Sequence, residues 1–205
     1  NYARERPQGR LPDGKNPSAP QVAIIEHTDV KRMLLTQKAY VEGAFDLGLY
    51  AARLFDDTET LETEAERKTA LQLLDLLTPI VKAWPSDYCL KANELAIQVL
   101  GGHGYTREYP VEQYYRDNRL NPIHEGTNGI QSLDLLARKV VMNNGAALKQ
   151  LSELIMATCK QAAAHPELNE LREPLEKLLA HLGLSLIHIS EPTRLLSISY
   201  AVFCL

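Results

Sequence analysis

"QVLGGHGYTREYPVEQYYRDNRLNPIHEGTNGIQ", Gln98 to Gln131, is the stretch on which the reading of this chain turns. Into it runs a helical pattern from about Ser86 to Leu100, with Leu90, Leu95, Ala96, Val99 and Leu100 on the buried side, and it stops at Gly101–Gly102. Residues 103–122 read as irregular or short helix. Helical spacing resumes from about Gly126 to Asn143, presenting Ile130, Leu133, Leu136, Ala137 and Val140. At the junction stands one carboxylate, Glu125, between His124 and Gly126. As a first-turn acid it would complement the helix dipole by roughly 0.3–1 kcal/mol. Two details weigh against that ordinary role. Gly126 and Thr127 follow at once, so the backbone beside the carboxylate carries little bulk, and a flat or extended ligand could pass over it.

Working outward, residues 1–20 hold Pro7, Pro12, Pro17 and Pro20 with Gly9 and Gly14, a loop or linker composition. From Val22 to about Phe55 an apolar stripe at helical spacing runs through Val30, Met33, Leu34, Val41, Ala44, Phe45, Gly48 and Ala52. "DDTETLETEAERK" reads as an acidic connector, and Thr63 with Glu66 has capping-box spacing for the next helix. That helix carries Leu71, Leu73, Leu74, Leu77, Ile80, Val81 and Trp84, with Pro79 expected to kink it and Pro85 to end or bend it. Further helices are expected over about 146–163 and 167–182, the second broken or started by Pro174. No strand-like alternation precedes residue 184. The fold class is therefore all-α, an antiparallel helical bundle with extra C-terminal helices.

With 205 residues, 45% hydrophobic and 23% charged, the chain has the composition of a globular protein. Its net charge of -4 and scattered basic residues give no sign of a nucleic-acid or anionic-membrane partner. Apolar runs fall well short of the about 20 residues that span a bilayer. Cys89, Cys159 and Cys204 are widely separated, which suits a reduced, cytoplasmic compartment. No cysteine–histidine spacing suggests a metal site, and there is neither a P-loop nor a Rossmann glycine fingerprint. The tail Leu184–Leu205, "LSLIHISEPTRLLSISYAVFCL", breaks with the Leu-, Ala-, Glu- and Lys-rich segment before it. It resembles a translated sequencing-library adapter, so it is expected to be non-biological and the chain a gene fragment cut at both ends. Re-sequencing the source DNA with independent primers checks this: the same codons in the genome would refute it. The organisation expected is 1–20 linker, 21–145 helical bundle, 146–183 truncated additional helices, and 184–205 the foreign tail.

Other candidate residues each have a plain structural role open to them. Gly101, Gly102 and Gly104 suit a helix C-terminus, yet glycines also let another molecule approach the backbone, where exposed amides can bind phosphate oxygens. Arg116, Asp117 and Arg119 could form an ion-pair cluster that holds their loop. His27, early in its helix, suits a capping or packing role.

Taken in order, "YARER..QGR", "IIEHTDVKRML" and the quoted block resemble the C-terminal helical domain of the flavin-dependent acyl-CoA dehydrogenases, over about residues 1–145. "NPIHEGTNGIQ", with helices after it, looks most like the large-subunit branch that includes 3-methylmercaptopropionyl-CoA dehydrogenase. The resemblance implies that Glu125 is the base that removes the α-proton of an acyl-CoA thioester. The β-hydride would meanwhile pass to oxidised FAD, leaving a trans-2-enoyl-CoA. His124 and Gly126 would border the substrate, and the backbone N–H of Glu125 would help hold the thioester carbonyl. By the same resemblance Gln98, Val99, Leu100, Gly101 and Gly102 would hold FAD across a subunit interface. Arg6, His27 and Thr28 would touch the FAD of the neighbouring chain, and Thr127, Asn128 and Gly129 would lie beside its adenosine diphosphate portion. Thr28 departs from the commoner residues at its position. An electron-transfer flavoprotein as electron acceptor and a homodimer or homotetramer are implied as well. An acyl-CoA oxidase, or a non-catalytic alkylation-response-type relative that keeps FAD and binds DNA, is the alternative. The intact "HEGT" and the lack of a basic surface argue against the latter. The isolated fragment is expected to have little activity.

Overall fold

In the computed structural model the described residues are 1–12, 18–124 and 127–187, with side chains described only as far as residue 183. Its helices are α1 (Tyr2–Glu5), α2 (Thr28–Thr60), α3 (Glu64–Leu100), α4 (Val111–Asn118), α5 (Asn128–Leu133), α6 (Ala146–Ala162) and α7 (Asn169–Ile187). The fold is all-α: the one β-type feature among the described residues is an isolated bridge between Pro7 and Ala23. Two compact units divide the chain, Asn1–Gly48 with Ala83–Glu125, and Leu49–Lys82 with Gly126–Leu205. Both α2 and α3 therefore contribute to each unit.

In the first unit Met33 of α2 and Val99 near the end of α3 share a core with Ala3 and Ile24. Residues 1–12 are tied into this unit. The Gln8 N–H donates to Val22 O (2.9 Å), Val22 N–H to Gly9 O (3.1 Å) and Ile24 N–H to Arg6 O (2.9 Å). Those pairings explain why α2 begins at Thr28 and not at Val22. Val22 and Ile24 give their amides to the preceding segment, Ile24–Glu26 forms a single 3-10 turn, and His27 is extended (φ -74°, ψ 134°).

In the second unit Leu54 of α2 packs with Ala70, Leu73 and Leu77 of α3. Low-numbered α2 residues thus meet high-numbered α3 residues in one unit and the reverse holds in the other, as antiparallel helices require. A second cluster joins Leu76, Leu135 and Ala147 and so ties α6 to α3. Part of the expected α2 stripe is exposed, Val41 and Phe45 among it. The acidic "DDTET" belongs to α2 as its last turn, closed by Thr58 Oγ1 donating to Phe55 O and Thr60 Oγ1 to Asp56 O.

The capping box forms as its spacing predicts: Glu66 N–H donates to Thr63 Oγ1 (3.2 Å) and Thr63 N–H to Glu66 Oε2 (3.1 Å). Hydrogen bonds from the Thr63 side chain and backbone hold the Glu66 carboxyl below its ordinary range. A depressed native value makes this contribution full above the unfolded pKa and lost as pH falls through the folded one. Thr63→Ala should cost about 1 kcal/mol of stability at neutral pH, with a smaller loss in acid; denaturation midpoints at both pH values check it.

α3 runs through both Pro79 and Pro85, and Pro174 lies inside α7, neither starting nor ending it. Each ring removes one intrahelical donor, a cost that tertiary packing can offset. Pro79 is fully buried, and beside the prolines Thr78 Oγ1 donates to Leu74 O and Ser86 Oγ to Ala83 O.

α5 continues into a π-helical segment, Asp134–Lys139, that ends with Val140 N–H donating to Leu135 O (2.9 Å). The wider turn shifts the inward face. Gln131, Ser132, Leu135, Leu136 and Lys139 are buried, while Ile130 and Leu133, expected inside, are exposed. Beyond it Asn143, Asn144 and Gly145 are all left-handed (φ 50°, 56° and 76°) and end this helical run before α6. Lys139, buried near the end of this segment, places Nζ 2.9 Å from Asp75 Oδ1, whose side chain is 43% exposed. Asp75→Asn leaves that ammonium without its counter-charge. A loss of about 1–2 kcal/mol is expected, held below the fully buried case by water at the carboxylate, whereas Lys139→Met should cost less. Chemical denaturation of both variants separates the two.

Candidate functional site

Glu125 and Gly126 lie outside the described residues, so the site is defined by what surrounds them in the chain. On the N-terminal side, all within the first unit, the end of α3 and the turn after it deliver Gln98–Gly102. Val99 is buried in the core and anchors the segment, so its backbone, not its side chain, is what a ligand could meet; Gln98 is exposed. After Leu100 the chain enters a 3-10 turn, Gly101–Tyr105, with Gly101 left-handed at φ 59°. The three glycines have different reasons to be there. A Cβ on Gly104 would lie 2.5 Å from the Ile97 carbonyl oxygen, so this one is demanded by packing. A Cβ on Gly101 or Gly102 would meet nothing within 4 Å. Gly101 still answers to its backbone angle, whereas Gly102 has no steric reason within its own unit. The open space beside both is what a planar or extended ligand requires.

The turn is held by a cluster that no local spacing announced. Tyr2 Oη and His103 Nδ1 share a 2.9 Å hydrogen bond, and the rings of Tyr2, His103 and Tyr109 meet edge to face at 5.6–5.8 Å. Tyr2 stands about a hundred residues from His103 and Tyr109, beyond any periodicity argument.

Arg6, the residue after α1, is exposed; its backbone is fixed by the bond to Ile24. His27 donates its Nε2–H to the Gln8 carbonyl (2.7 Å), and its ring packs 3.4 Å from where a Cβ of Gly9 would be. His27 thus fills the packing role and joins the Arg6–Gly9 strand-like segment to the start of α2. Thr28, the first residue of α2, is exposed.

The approach to Glu125 is a series of closed turns. Asn121 N–H donates to Asn118 O (3.0 Å), and the N–H groups of Ile123 and His124 both donate to Leu120 O (2.9 Å each). His124 is exposed. Among the described residues no ion pair joins Arg116, Asp117 and Arg119 to one another. Arg116 reaches back one turn to Glu112 (2.7 Å), because residues four apart share a helix face and adjacent ones do not.

In the second unit, Thr127 is extended (φ -64°, ψ 162°) and exposed at the start of α5. Its carbonyl accepts from Gln131 N–H, and Asn128 O accepts from Ser132 Oγ (2.8 Å). Gly129 is exposed. Among the described residues no group of three or more His, Cys, Asp or Glu could hold a metal ion, and no helix is long and apolar enough to cross a membrane.

The family described as "Acyl-CoA dehydrogenase, C-terminal domain" matches residues 15–141. The chain is 38% identical over 181 residues to the broad-specificity linear acyl-CoA dehydrogenase FadE5 of Mycobacterium tuberculosis, covering 87% of this chain and 30% of that protein. It is 40% identical over 158 residues to 3-methylmercaptopropionyl-CoA dehydrogenase of Ruegeria pomeroyi, covering 77% and 26%. To a butyryl-CoA dehydrogenase of Syntrophomonas wolfei it is 38% identical over 150 residues, covering 73% and 24%. The chain therefore spans less than a third of the length of these relatives.

Proposed function

The chain belongs to the acyl-CoA dehydrogenase family, and from that premise we propose that the complete protein dehydrogenates an acyl-CoA thioester between Cα and Cβ, giving a trans-2-enoyl-CoA. The observation that carries this reading is the pairing, within the matched region, of a glycine turn open to ligand with the segment His124-Glu125-Gly126-Thr127. The relatives named above are dehydrogenases, which favours that reaction over oxidase or DNA-binding roles.

The carboxylate of Glu125 takes the α-proton. A thioester α-carbon is too weak an acid for a carboxylate in water, so the enolate that develops needs donors already in place at the carbonyl oxygen. The backbone N–H of Glu125 is one such donor, and Gly126 keeps the approach free of side-chain bulk. FAD, when bound, supplies the hydride acceptor. Gln98, Leu100, Gly101 and Gly102 hold it together with the backbone of Val99, since the space beside the two glycines suits such a group. Arg6, His27 and Thr28 would contribute to holding the FAD of a neighbouring copy in a homodimer or homotetramer, His27 mainly through the segment it braces. Thr127, Asn128 and Gly129 would help hold the adenosine diphosphate portion. An electron-transfer flavoprotein collects the electrons.

The test is an anaerobic titration of the complete gene product with straight-chain, branched and thioether acyl-CoA thioesters, following flavin absorbance. Bleaching complete near one thioester per flavin is expected for at least one class. A flavin that no thioester bleaches would refute the proposal.

A further inference from the structure

The turn that leads to Glu125 is held by polar bonds more than by burial. Its apolar side chains Leu120 and Ile123 are 57% and 55% exposed, so little hydrophobic contact fixes it. Inside the first unit an amide chain does so instead. Asn118 Nδ2 donates to Asn93 Oδ1 on α3 (2.8 Å), a partner 25 residues away, and Asn121 Nδ2 donates to Asn118 Oδ1 (2.6 Å). Asn118 stands in the middle, where a side chain must donate on one side and accept on the other. An amide does both; an alkyl group of the same size does neither and would leave Asn93 and Asn121 without their partner. The backbone turns Leu120→Asp117, Asn121→Asn118, Ile123→Leu120 and His124→Leu120 close on the same segment. The amide chain therefore connects the long helix that carries Gln98–Leu100 to the residues just before the base.

We infer that Asn93, Asn118 and Asn121 form a positioning chain that sets where the Glu125 segment stands, with Asn118 as the positioning residue for proton abstraction. The inference rests on the proposed role of Glu125. Misplacing a reacting group by an ångström from a distance can cost about a hundredfold in rate.

The test uses the complete, flavin-loaded gene product and the thioester that bleaches the parent fastest. Asn118→Leu should slow bleaching at saturating thioester by about 10- to 100-fold, while flavin content and the thioester concentration for half-saturation stay within about threefold. Amide exchange over residues 120–124 should quicken. Asn118→Asp should recover most of the rate, because Asn93 and Asn121 can both turn an NH2 toward its two oxygens. Should Asn118→Leu fail to fold or to keep flavin, Asn121→Ala, at an exposed position, decides in its place. A parent-like saturating rate in Asn118→Leu, or in Asn121→Ala where that variant stands in, overturns the inference, as does a loss that Asn118→Asp does not recover. Glu125→Gln is run alongside. If it bleaches normally, the proposed function falls and this inference with it; if it is inert while the asparagine variants match the parent, the positioning role alone falls.

Discussion

Gly104→Ala should lower stability by about 3 kcal/mol, one of the two largest effects expected of a single substitution in this chain. The added methyl would sit 2.5 Å from the Ile97 carbonyl oxygen and 2.9 Å from its Cα. Both are backbone atoms inside α3, so the clash cannot be relieved by a rotamer change; the turn or the helix end must move. Against a total of about 5–15 kcal/mol for a domain, that is a large share. Gly102→Ala, two residues away, meets open space and should leave the denaturation midpoint nearly unchanged while weakening flavin retention. Gly101→Ala falls between, at about 1–2 kcal/mol for a left-handed residue with a Cβ. Denaturation midpoints and flavin content of the three variants check the ordering. If Gly104→Ala matched the parent midpoint, the packing account of this turn would fail. If Gly102→Ala kept its flavin fully, the open face would not be where the ligand lies.

Helices are legible from spacing, but their ends and buried faces only where local chemistry fixes them. Thr63 and Glu66 announce a helix start because capping is local, and the structure forms both bonds. Spacing starts α2 too early because Val22 and Ile24 have helical neighbours in sequence yet bond to residues 6–9. Pro79 and Pro85 read as breaks because local chemistry disfavours them, while α3 continues through both with Pro79 sealed in the core. Spacing puts Ile130 and Leu133 on the inner face of α5, and they are exposed because a π turn changes the periodicity that sets that face. At the site, the order of motifs pointed to the glycine turn and the HEGT segment. It did not reveal that His103 binds Tyr2 or that Asn93 binds Asn118, since those pairings depend on how distant segments pack.

The second large effect concerns chemistry and leaves stability alone. Glu125→Gln keeps the size of the side chain and removes its basicity, so under the proposed function flavin should stay bound while α-proton removal should lose its acceptor. General-base catalysis is worth about 10²–10⁴ in rate, and a carbon acid as weak as a thioester belongs toward the upper end. A loss of about 10³-fold or more is therefore expected. Glu125→Asp keeps the charge on a shorter stem and should retain part of the rate. The most direct measurement is anaerobic mixing of the complete protein and its Glu125→Gln variant with the same acyl-CoA thioester, following flavin absorbance over time. The parent should bleach within the mixing experiment, and the variant should remain oxidised with its flavin in place. Bleaching of the variant at the parent rate would contradict the account.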